Sequence, residues 1–236
     1  MLNQAVHWMN VAATAADGLL LLRVLGLRLH RIYVFITLGC LLALFFDGVG
    51  LWLGVESAEN GRVVIYSQFL YAFVYPAIAW DVFEEVKAQA AKLRRMQIGR
   101  LISGIVLALV FGLLVGASVD DSNGESPFLS ILALALWVGS STASLSFLWF
   151  MRRAIRAEKI GLPNNTSVWM TFYMLILLEA LLASFFALSG PLLHQTATHF
   201  VAIAFDLYSL TVTGWCIARL RTLPPDIASA SEKARP

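Results

Sequence analysis

Four carboxylic acids sit inside apolar runs where charge is expensive: Asp17, Asp47, Glu179 and Asp206. An ionised carboxylate at the centre of a bilayer costs roughly 2.5–3.5 kcal/mol on insertion scales. Such groups therefore face a bundle interior, pair with another group, bind an ion or hold a proton. Arg23 is the one basic residue clearly inside a run. It follows Asp17 by about 9 Å of helix, too far for i,i+4 pairing. It can meet an acid from another helix or extend to the headgroups. With one cation against four acids, the set must hold protons or bind a cation, and that is the chemistry these residues offer. Tyr71, Tyr75, Tyr173 and Tyr208 lie in the same runs and can line a polar cavity. Pro76 removes a backbone hydrogen bond and marks a hinge.

The elements that must position these residues follow from composition. Of 236 residues, 59% are hydrophobic and 14% charged, and mean hydropathy is +0.75. Soluble domains average roughly 45–50% apolar and 25% charged. The surplus excludes an ordinary soluble enzyme, a disordered chain and a collagen-like fibre. A spanning helix needs about 20 apolar residues, and seven stretches qualify: 9–27, 32–53, 64–84, 100–118, 127–150, 167–189 and 198–218. No alternating strand pattern suggests a β-barrel. The expected fold is all-α: a polytopic membrane protein with one seven-transmembrane-helix bundle over 1–222 and a short disordered cytoplasmic tail over 223–236. The start lacks a basic region before a short apolar run and a small-residue cleavage site, so the first span should be retained.

Charge gives the orientation. Sixteen of the 17 basic residues fall on one side, from Arg23, Arg28 and Arg31 through Lys87–Arg100 and Arg152–Lys159 to Arg219–Arg235; only Arg62 falls on the other. Glu56, Glu59, Asp120, Asp121 and Glu125 share the Arg62 side. Basic loops stay cytoplasmic, which places the N-terminus outside and the C-terminus inside, in a membrane read as the bacterial cytoplasmic (inner) membrane. Trp8 and Trp52 then fall at the outer boundary, and Trp80, Trp149, Trp169 and Trp215 near the inner one. Asp81, Glu84 and Glu85 should reach the inner headgroups. The basic loops are topogenic, and no nucleic-acid partner is expected.

Depth brings the acids together. Counted from the outer ends of their spans at 1.5 Å per residue, Asp17, Asp47, Glu179 and Asp206 fall within one slab roughly 6 Å thick, slightly outward of the midplane. If the helices close into a ring in chain order, the sixth, seventh, first and second spans are consecutive, and the four acids can converge on one cavity. Spans one to three and five to seven also share a polarity pattern, compatible with a three-plus-one-plus-three parallel repeat. Ala108, Gly112 and Gly116 form a small-residue face in the fourth span, suited to packing within the bundle or to a homodimer or larger membrane complex. Asn164, Asn165 and Thr166 match a glycosylation pattern, but helix capping on the cytoplasmic side explains them.

Several chemistries are excluded. The outside-in seven-helix order is that of rhodopsins, but the Schiff-base lysine position, four residues after the acid Asp206, is Leu210, which removes retinal. Four histidines and two cysteines leave little for haem or a metal, and no nucleophile–base set is visible, so no enzyme is expected. Rhomboid, CAAX-protease and Pro-Gln sugar-carrier motifs are absent. The leading expectation is transport or binding of a small solute or cation, coupled to protonation of the four acids and surrounded by the lipid bilayer. The alternative is a non-catalytic subunit, sensor or receptor-like protein that acts through a partner.

Overall fold

The computed structural model describes residues 2–54, 57–87, 102, 106, 110, 127–189 and 195–222. Six helices there are long and apolar enough to cross a membrane. They are α1 (Leu2–Gly26), α2 (Val34–Leu53), α3 (Ala58–Lys87), α4 (Pro127–Ala157), α5 (Asn164–Ser189) and α6 (Gln195–Arg219), with a 3-10 turn at Leu29–Arg31. They correspond to six of the seven expected spans. Of the fourth, Ile102, Val106 and Val110 are helical and exposed. Ala108, Gly112 and Gly116 lie outside the described residues, as does the tail.

Local chemistry sets the helix ends. Arg28, at φ 57°, takes the left-handed conformation that breaks α1 from the 3-10 turn. Gly54, at φ 84°, ends α2 in a backbone region that side chains avoid. Ser57 Oγ accepts the Asn60 N–H at 3.1 Å and caps α3. Lys159, at φ 52°, follows the last turn of α4, and the Ile160 N–H returns to the Ile155 carbonyl at 3.0 Å.

The helices form a closed ring in which each packs on the next and α6 packs on α1. Two of these contacts are parallel. Ser140 and Phe147 of α4 meet Ala72 and Phe83 of α3 in the same order. Arg23 near the end of α1 reaches Leu220 just past the end of α6. The ring is thus two triplets, α1–α3 and α4–α6, with matching helix directions. Large apolar side chains such as Trp52, Phe73, Trp149 and Phe185 point outward, as a lipid solvent requires.

Packing is uneven along the ring axis. Among the described residues, the buried apolar side chains of α1 begin at Leu20 and those of α2 end at Cys40. Those of α3 begin at Ala72 and those of α6 at Val212. All of these lie toward the end carrying Arg23, Lys87, Arg152 and Arg219, the basic end. Trp169, near the basic end of α5, is fully buried in this core. It packs against Tyr33, Phe172 and Tyr173.

Candidate functional site: a carboxylate and aromatic cavity

Where the core ends, the ring encloses a cavity of about 280 Å3 to which all six described helices contribute. At about 30 Å3 per water this holds on the order of ten waters, or one small organic molecule. Asp17 and Glu179 supply its carboxyl groups, and Tyr71, Tyr75, Tyr173, Phe172 and Trp137 its rings. Among the described residues, no basic side chain lines it.

The other two acids stand beside this pair. Asp47 and Glu179 both lie close enough to Asp17 to act on its charge. Asp206 stands near Glu179 and Asp47. Asp17, Glu179 and Asp206 are half-buried, and Asp47 is exposed.

The aromatic walls are built on two helices facing across the ring. Tyr71 and Tyr75, one turn apart on α3, stack with ring centres 5.3 Å apart. Phe172 and Tyr173 on α5 meet edge to face at 5.1 Å. Gly39 lets the second wall approach: a Cβ there would lie 2.8 Å from Ile78 Cδ1 and 3.3 Å from the Tyr173 hydroxyl. Tyr173 in turn lies beside the Cys40 thiol.

Pro76 has a defined partner. Without an N–H it leaves the Ala72 carbonyl, four residues back, without its helical bond. The Ser140 hydroxyl of α4 donates to that carbonyl. The proline thus ties α3 to α4 beside Tyr75 and Trp137, as freed backbone groups require in a membrane.

The basic end is closed by a second set of bonds. Asp81 Oδ2 accepts the Phe35 and Ile36 N–H groups at 2.6 and 3.0 Å, capping α2 from α3. Asp81 is buried, so it does not reach headgroups as its position near a span end suggested. Tyr33, in the cap position of α2, has no side-chain bond to the helix, and the neighbouring helix supplies the carboxylate instead. The matching place in the second triplet is also tied. Asn165 donates to the Arg221 carbonyl at 2.8 Å and accepts the Arg221 N–H at 2.9 Å, while Asn164 donates to the Arg219 carbonyl at 2.9 Å. Thr166 pairs with the Tyr33 hydroxyl at 3.2 Å. The Asn-Asn-Thr run therefore fastens helices together rather than capping its own.

Not every residue singled out from sequence meets the cavity. Arg23 donates to the Leu220 carbonyl at 3.0 Å, at the basic end. Tyr208 donates to the Leu175 carbonyl at 3.3 Å and binds α6 to α5. Sequence reasoning overlooked Trp137, Phe172, Gly39 and Ser209, all lining residues. Trp137 carried a signal, because it lies mid-span whereas tryptophan prefers the interface.

The chain matches no known protein family model, no characterised protein and no solved structure.

Proposed function

We propose that the protein is a carrier or binding protein of the bacterial cytoplasmic membrane, taking a small cationic solute into the ring and coupling its binding to protons on Asp17, Asp47, Glu179 and Asp206. The observation that carries this reading is the shared cavity, whose wall among the described residues has two carboxyl groups, three tyrosines and no basic side chain. The N-terminus lies outside and the basic end in the cytoplasm, following the distribution of basic residues. In this orientation the hydrogen-bonded, close-packed end faces inward and the cavity faces outward. Seven crossings are supported by the parallel α3–α4 contact: consecutive helices can run parallel only if the chain between them returns across the bundle.

The test places a cysteine on the cavity wall, Ser209→Cys or separately Ala43→Cys, in a protein carrying Cys40→Ala and Cys216→Ala. A cationic methanethiosulfonate should label it at least tenfold faster than an anionic one, and Glu179→Gln should cut that preference. Absence of labelling at both positions, or equal rates for the two reagents, would overturn the reading. The alternative role as a subunit or sensor would then stand.

A further inference from the structure

We propose that the occupant of the cavity is a small organic ammonium ion, its charge beside Asp17 and Glu179 and its carbon substituents against Tyr71, Tyr75, Tyr173 and Trp137. This rests on the cation-binding reading above and names its substrate class. A bare metal ion does not fit these walls. Metal ions need several oxygen, nitrogen or sulfur ligands at about 2.0–2.6 Å, and no group of three His, Cys, Asp or Glu among the described residues can hold one. The space is also far larger than an ion, at about 280 Å3. An anion would face two acids with no cation among the described lining residues to receive it. A sugar needs a dense set of hydrogen-bonding groups, whereas rings and aliphatic chains dominate this lining.

An organic ammonium satisfies each feature. Its charge is spread over C–H groups, so it is weakly hydrated and attracted to ring faces. The stacked Tyr71–Tyr75 pair offers one such wall and the Phe172–Tyr173 pair another. The Trp137 indole N–H is buried beside Tyr75 with no hydrogen bond of ordinary geometry among the described residues. Among the described residues no basic side chain pairs with Glu179, so the incoming cation is its counterion.

The experiment measures protection. The Ser209→Cys protein in detergent is labelled with the cationic reagent in tetramethylammonium, methylammonium or sodium chloride at equal ionic strength, and melting temperatures of the otherwise unaltered protein are read in the same salts. Tetramethylammonium should slow labelling and raise the melting temperature, and sodium should do neither. Tyr71→Leu should raise the half-protecting concentration about tenfold, and Tyr71→Phe much less, because it keeps the ring face. Equal protection by sodium, or no protection by either ammonium while the reagent charge preference persists, overturns the ammonium inference alone. Loss of the charge preference itself overturns the cation-binding reading beneath it.

Discussion

At the basic end, Asn165 holds both backbone groups of Arg221. Replacing it with Ala should cost about 0.5–1.5 kcal/mol for each of these two part-buried hydrogen bonds. Denaturation in mixed micelles would measure this, and a cost near zero would show that the latch contributes nothing. The asparagine was visible as a signal in sequence, but its partner was not, because Arg221 lies 56 residues further on, just past the end of α6.

Among the helices, α3 carries the sharpest internal test. Ser140→Ala should strand the Ala72 carbonyl and destabilise by about 1–3 kcal/mol. Pro76→Ala returns an N–H to that carbonyl, so the double variant should recover much of the loss. A double-mutant cycle with no coupling would sever the link between the two residues. At the end of α4, Lys159→Gly should stabilise by up to about 1 kcal/mol by relieving the left-handed strain, again read by denaturant titration. The spanning elements were legible because a bilayer demands long apolar runs, whatever their neighbours. Pro76 was legible as a break, and Asp81 as a charge near a helix end. Their partners, Ser140 and the start of α2, were not, since a hydrogen bond between helices leaves no periodicity in either one. Depth arithmetic set the four acids in one layer, and the structure puts Asp17 and Glu179 on one wall with Asp47 and Asp206 beside them. Which aromatic rings would join them depended on helix rotation, which near-uniform hydrophobicity around each helix does not encode.

Across the whole ring, stability is concentrated at one end. The interhelix ties of Arg23, Tyr33, Asp81, Asn164 and Asn165 and most of the buried core lie on the basic side of the cavity. Amide exchange should accordingly be slowest in the second half of α1 and the first half of α2, and faster in their opposite halves. Uniform protection along both helices would refute this asymmetry. The two triplets add a constraint of a different kind. A unit of three crossings begins on one side of the membrane and ends on the other. If a gene encoding such a unit were copied head to tail, the second copy would begin where the first ended and insert upside down. One extra crossing between the copies restores its orientation and lets the two units meet side by side, α3 along α4 and α6 along α1. On the proposed seven-crossing reading, such a duplicated plan would ask only that the linking segment cross, leaving its composition free to change.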